Sequence, residues 1–418
     1  MKETNELNKK TSKTNLQRTS KMYSKERGIT LIALVITIII LIILATVTIT
    51  LVFGEGGLIQ RAQEGKELTE QAQKDEQDEL KGAEEFINGV LAGTGTTTPP
   101  EEKSEVEEAK ESGTPFEDTT TITDDLDNPV TVPGGFNIAE DSGTKVEEGI
   151  VIEDSNNNQF VWIPVGEYNV SDTINSAGKL TNELSRRDWA DKNVVAEPTP
   201  VNGDEVIDTY YYGEGNENSV AKDQIDAFKT SATTNKGFYI GRYEAGTEVE
   251  RTAKTDPLTM PLVQANKYPY VYVTRDQARD QAELMYNENK YVTSELISGY
   301  AWDTALNFIC QTTEEGYLLA TTNDSTYGNI ATGGRTQTGA YTVEEEISDK
   351  YSNIFDMLGN CLEWTTEYSG YYSAPCVIRG GVYNDSVNYA ADRYGSSTSF
   401  SNTYGSFRLQ LYVNPESW

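Results

Sequence analysis

Cys310, Cys361 and Cys376 are the only thiols in the chain. A thiolate can attack a carbonyl, cycle through a disulfide or bind a soft metal. Histidine is absent altogether. That excludes Ser-His and Cys-His triads, His-ligated zinc or iron, and an imidazole general base. Aspartates and glutamates remain as acid–base candidates, but spacing singles out no pair. The stretch from Val382 to Phe407 has a different character. Its 26 residues include four Tyr, three Asn and six Ser, with no Lys or Glu. Tyrosine offers rigid amphipathic area at low entropic cost, and serine and asparagine adapt their hydrogen bonds, as in antibody paratopes. The candidate ligand contacts are Tyr383, Asn384, Asp385, Asn388, Tyr389, Tyr394 and Tyr404. The alternative is a loop whose tyrosines pack inward.

These residues need a framework, and from Pro129 onward the sequence supplies one. Short apolar and aromatic runs alternate with Gly, Asn, Asp and Ser clusters, which predicts a loop-rich, strand-poor domain. Phe160–Val165 and Gly237–Glu244 read as buried strands. A helix is predicted from Thr274, with Gln277 as capping-box partner and Ala278, Ala282 and Met285 on one face. A second helix is predicted from Gly299 to Gln311, with Trp302, Ala305, Leu306, Ile309 and Cys310 on its core side.

Within this region Asp356-Met357-Leu358-Gly359-Asn360-Cys361-Leu362-Glu363-Trp364-Thr365 resembles the signature of the formylglycine-generating (sulfatase-modifying factor) family. Val377–Tyr383 resembles the family's Arg-Gly-Gly segment, and Arg393 with Gly405–Arg408 resembles its closing elements. The resemblance covers roughly residues 130–418. It implies a C-type-lectin-like fold: an irregular α+β domain with two helices, small sheets and long loops. The family's oxidising members use two cysteines after the Arg-Gly-Gly segment to bind copper, and its iron-dependent relatives use histidines. From Val382 to Trp418 there is no cysteine, so neither copper nor iron is expected, and no catalytic residue is assigned. Cys361 and Cys376 either pair or remain buried thiols. The resemblance also implies calcium held at Asp356, Gly359, Cys361 and Glu363, the glycine and cysteine through their carbonyls. Carboxylates and carbonyls on a tight turn suit a hard cation. Otherwise Asp356 and Glu363 cap the turn and pair with Arg379 or Arg393. The superfamily includes variable display proteins that are diversified in this same C-terminal segment.

The N-terminal part is of another kind. Residues 1–27 carry eight Lys or Arg against three Glu, and Ile29–Phe53 carry no charge. As a helix those 25 residues reach about 37 Å, enough to span a bilayer. The basic flank stays on the cytoplasmic side and the rest lies outside the cell. Lys25-Glu26-Arg27-Gly28-Ile29-Thr30-Leu31-Ile32-Ala33-Leu34 resembles the class III leader of type IV pilins and pseudopilins. That resemblance implies a prepilin peptidase that cuts between Gly28 and Ile29, and pilin-like subunits as neighbours. The family's usual glutamate at the fifth mature position is replaced by Ala33, which bears on assembly into a fibre. Residues 58–91 continue as a thin-striped helix that either packs on a neighbouring copy or is solvated. Eleven acids and two lysines lie between Glu101 and Asp127, a composition expected to stay disordered and extended.

The expected organisation is therefore a basic leader (1–28), a membrane and stalk helix (29–91), a disordered acidic linker (92–128) and an α+β, C-type-lectin-like head (129–418). A net charge of −32 argues against nucleic-acid partners. The function this predicts is a cell-surface, ligand-binding or adhesion protein for an extracellular glycan or protein, with a catalytically inactive head. The alternatives are a divergent enzyme of the formylglycine-generating family and a structural minor pilin.

Overall fold

The computed structural model describes residues 103–187, 189, 217–314, 316–322, 325, 327–330, 333–340, 350–369, 373–384 and 389–415. The leader with Gly28 and Ile29, the apolar segment and the stalk lie outside the described residues, as do Asp385 and Asn388. No helix among the described residues is long and apolar enough to cross a membrane.

The architecture is mixed α+β, mostly sheet with few helices. The strands that organise it are, in chain order, Asn137–Ile138 (β1), Val151–Glu153 (β2), Gln159–Pro164 (β3), Gly237–Gly241 (β4), Val292–Leu296 (β5), Leu362–Tyr368 (β6), Cys376–Arg379 (β7), Tyr394–Ser396 (β8), Gly405–Phe407 (β9) and Leu409–Val413 (β10). A six-stranded sheet has the order β5-β10-β4-β3-β2-β1, and a four-stranded sheet has the order β8-β7-β6-β9. All the pairings are antiparallel except β6 with β9, where Trp364 lies beside Phe407.

Burial explains why the apolar runs became strands. Phe160, Val161, Trp162 and Ile163 are all buried, and so are Phe238, Tyr239 and Ile240 opposite them. Trp162 and Tyr239 meet edge-to-face at 4.9 Å, a geometry that the ring quadrupoles favour. The predicted second strand stops at Gly241; beyond it Arg242 pairs with Asp141, Tyr243 stacks on Phe355 and Glu244 accepts the Cys361 N–H.

The helices are α1 (Glu105–Ser112), α2 (Glu217–Thr234), α3 (Arg275–Leu284), α4 (Gly299–Thr312) and α5 (Leu318–Thr321). Helix α3 starts where its capping box predicts. Thr274 Oγ1 accepts from the Gln277 N–H, and the Gln277 side chain returns a bond to the Thr274 N–H. Helix α4 is buried almost all round, including the polar Asp303, Thr304 and Asn307, so it is a central helix and not a surface one. The head is thus richer in strand than its loop-like texture implied.

The acidic segment departs from expectation too. Residues 103–128 are folded, not a linker. Ser104 caps α1, and Thr120–Thr123 pairs with Pro129–Val132. Buried Val106, Ile122, Val130 and Val132 join the main core. Asp124, one of the acids in the run, is itself buried and accepts the N–H groups of Leu126, Asn128 and Val146. Local composition hid this, since the apolar partners lie on strands further along the chain.

One buried acid in the larger sheet has only neutral partners. Glu295 on β5 accepts from Gln410 Nε2 (2.9 Å) and Tyr412 Oη (3.0 Å) on β10. Gln410 Oε1 in turn accepts from the Ser298 N–H at the start of α4. Burial pushes the Glu295 carboxyl up to about 7. The folded state therefore keeps a proton that the unfolded chain gives up, so stability falls as pH rises from the ordinary carboxylate range to about 7. Glu295→Gln should flatten that slope and raise stability at pH 8 by an amount on the order of 3 kcal/mol. Urea unfolding of both proteins at pH 5 and pH 8 checks it; an unchanged slope in the variant refutes it.

Candidate binding surface

Beneath the C-terminal segment lies a knot of charge. Asp303 comes from α4 and Glu367 from β6, and both are buried. Arg379 of β7 lies across the sheet and reaches both acids: Nη1 donates to Glu367 Oε1 and Nη2 to Asp303 Oδ1 at 2.9 Å. Arg393 bridges the same two carboxylates from the following loop, and Arg186 bridges them from a segment far earlier in the chain. Trp189 Nε1 and the Arg187 N–H complete the shell of Asp303, each at 3.0 Å. Burial alone would push both carboxyls up. The guanidiniums outweigh it, Arg393 foremost at Asp303 and Arg186 at Glu367, and hold both below the usual carboxylate range.

The signature loop forms a second buried group. Asp356 and Asn360 both have positive φ, 59° and 60°, so the chain doubles back tightly between them. Gly359 permits this: a Cβ there would sit 2.7–2.8 Å from the Asn329 backbone, closer than real contacts allow. The Asn360 amide then joins three segments. Its Oδ1 accepts from Asn329 Nδ2 and the Thr336 N–H, and its Nδ2 donates to Glu244 Oε2. Glu244 Oε1 accepts the Cys361 N–H at 2.9 Å. Burial, reinforced by the nearby Glu363 charge, pushes the Glu244 carboxyl well above its ordinary range.

Of the residues expected to hold calcium, Glu363 and Asp356 have partners within the protein. Both Glu363 oxygens are engaged by one guanidinium, with Arg408 Nε at 3.0 Å and Nη2 at 2.7 Å. A cation therefore already occupies that carboxylate, and Asp356 Oδ2 accepts the Gly339 N–H. The pairing of Glu363 also differs from the alternative reading: its partner is Arg408, whereas Arg379 and Arg393 serve the other knot.

Beside the signature loop, where Thr336 and Tyr383 bond to Asn360, the surface opens into a pocket of about 270 Å³, lined by Glu250, Tyr268, Pro269, Arg335, Thr336, Gln337, Tyr383 and Thr403. Arg335 sits across it, donating from Nη1 to the Thr403 carbonyl (2.7 Å) and from Nη2 to Glu250 Oε1 (2.6 Å). Tyr383 is fixed by its backbone, which bonds to Asn360 and Gly333. Glu250 also borders a larger, mainly apolar hollow of about 660 Å³, formed by the loop Thr247–Leu262. On that loop Val249 is 78% exposed, and Leu258 and Met260 are exposed as well.

Of the predicted contacts among the described residues, only Tyr383 lines this pocket. Asn384 is exposed next to it. Tyr394 is 56% exposed on the edge strand β8. Tyr389 and Tyr404 are half-buried and pack on the core; the Tyr404 ring lies 5.9 Å from Phe400, which meets Trp364 edge-on. The inward-packing alternative thus describes these two. Sequence reasoning missed Glu250, Tyr268 and Arg335. Their only local signals were the aromatic run Tyr268–Tyr272 and an arginine after paired glycines, Gly333-Gly334-Arg335. Arg186 and Asp303 were missed as well.

All three cysteines are buried free thiols. Burial pushes Cys310 up to about 12 and raises Cys361 and Cys376, so none is a ready thiolate at neutral pH.

No protein-family model and no curated protein matches the chain. Among solved structures it is similar to CarF (14% identity, TM-score 0.31, 43% of this chain and 87% of that one). It is also similar to PvdO from Pseudomonas aeruginosa (14%, 0.33, 63% and 97%) and to Treponema denticola variable protein 1 (14%, 0.30, 43% and 85%). Values this low decide neither family nor function.

The charge knot can be tested directly. Asp303→Asn removes one carboxylate from among three guanidiniums and should destabilise the protein by about 3–5 kcal/mol. Because the folded-state carboxyl is held low, the wild-type advantage should be full above pH 5 and shrink as the pH falls. Denaturant unfolding across pH 3–7 measures both; a loss under 1 kcal/mol at pH 7 would contradict the assignment.

Proposed function

We propose that the chain is a membrane-anchored, pilin-like extracellular binding protein. Its head is a C-type-lectin-like domain of the formylglycine-generating type that recognises a glycan or protein ligand and does not turn it over. The observation that carries the reading is the pocket lined by Tyr268, Arg335, Tyr383 and Glu250, with exposed Asn384 next to Tyr383. Aromatic walls suit sugar faces and protein side chains alike. The Arg335–Glu250 pair is open to solvent on its Glu250 side, so a ligand group can take the place of that carboxylate on Arg335. The thiols support the non-catalytic part of the reading, because the family's oxidation needs an accessible thiolate and these three are buried. The basic leader and the uncharged stretch Ile29–Phe53 supply the anchor and the orientation.

Two outcomes follow. Full-length protein in detergent micelles, applied to immobilised glycans and to isolated peptidoglycan sacculi, should bind at least one of them. Tyr383→Ala and Arg335→Ala should each weaken that binding by about tenfold, the size of a modest interface anchor. Binding that both variants leave unchanged would remove the pocket from the proposal. Protease added to intact cells should cut the head and leave the N-terminal segment protected. A head resistant on intact cells and cut only after lysis would reverse the orientation.

A further inference from the structure

Arg187 is 3% exposed. Its backbone is tied into the charge knot on both sides: the N–H donates to Asp303 Oδ2, and the carbonyl accepts from Arg393 Nη2. Its guanidinium is treated differently. Nε and Nη2 are buried and meet no hydrogen-bond acceptor among the described residues. The groups that act on it electrostatically are Tyr317, Asp303, Glu183 and Cys310. Tyr317 Oη donates to Asn307, the Asp303 oxygens are shared among Arg186, Arg379, Arg393 and Trp189, and Glu183 is exposed.

Charge makes the same point independently. Arg186, Arg379 and Arg393 already place three guanidiniums on the two carboxylates Asp303 and Glu367, so Arg187 adds to a surplus of positive charge that neither acid answers with a side-chain bond. Arginine does not deprotonate at neutral pH, so the surplus cannot titrate away. A water molecule would satisfy a donor and leave the charge. A buried guanidinium with no hydrogen-bonded anion is destabilising.

The shape of the vacant donor set narrows the partner. Nε and Nη2 form one straight edge of the guanidinium, with two parallel N–H bonds. This edge matches the two oxygens of a carboxylate or of a tetrahedral oxyanion. The same protein uses that edge elsewhere, for Arg408 holds Glu363 with these two atoms. We propose that Arg187 is an anion site: its Nε–Nη2 edge takes a small oxyanion, a carboxylate or a phosphate-like group, which balances the knot formed by Asp303, Glu367 and their arginines.

The test uses full-length protein in detergent, titrated calorimetrically with acetate, sulfate and inorganic phosphate at constant ionic strength, with chloride as the spherical control. Saturable binding of one equivalent of an oxyanion, with a melting temperature several degrees higher, is expected. Acetate against sulfate and phosphate distinguishes the carboxylate from the tetrahedral source. Arg187→Lys keeps the charge and loses the two-donor edge, so oxyanion affinity should fall about tenfold or more. Three results would overturn the proposal: no saturable binding to the wild type, an equal response to chloride, or unchanged affinity in Arg187→Lys. The first two are read on the wild type alone, so they stand even if the variant does not fold.

Discussion

Two buried carboxylates govern how this head is assembled. Asp303 and Glu367 lie where water cannot reach them, one on a helix and the other on a strand, and each would be costly there alone. Three guanidiniums from three separate chain segments make them tolerable. Because each arginine contacts both acids, no segment can shift without disturbing the others. The pairing of β6 with β7, the seating of α4 and the placement of Arg186, Arg187 and Trp189 are thus solutions to one electrostatic problem. Hydrophobic burial supplies the bulk driving force, while this knot selects which arrangement of short strands and loops is allowed.

Some of this was legible in the residues. The runs around Trp162 and Tyr239 read as strands because nearly every side chain in them is apolar. The capping box at Thr274 reads as a helix start because its two bonds are local. The signature turn was legible as well, through Gly359 and its neighbours, although the service it performs was not. Glu363 is held by Arg408, a partner 45 positions away that no local pattern points to. The same blindness to distance explains the acidic segment. Its composition argued for disorder, yet Val106 and Ile122 find apolar partners on strands that follow. Pocket residues such as Arg335 were invisible for the same reason: a pocket wall is a property of the folded surface and has no period.

The two arginine-bound acids and the neutral-bonded one form an instructive contrast. Glu367 and Glu295 are both buried glutamates on strands of the head. One is surrounded by guanidiniums and stays ionised, while the other is offered only an amide and a phenol and takes up protons more readily. Burial is common to both; the chemistry of the neighbours decides the charge. A single residue type therefore serves as a fixed anion in one sheet and as a titrating group in the other.

The position of β10 has a consequence for biogenesis. It is the last strand among the described residues, yet it lies inside the larger sheet between β5 and β4. As the polypeptide emerges from the ribosome, both neighbours wait with open edges until Leu409–Val413 arrives. The head must then close late and in one cooperative event, after a long interval in which the nascent chain is exposed to wrong pairings. A need for chaperone holding during synthesis, and for quality control of prematurely terminated products, follows from that topology.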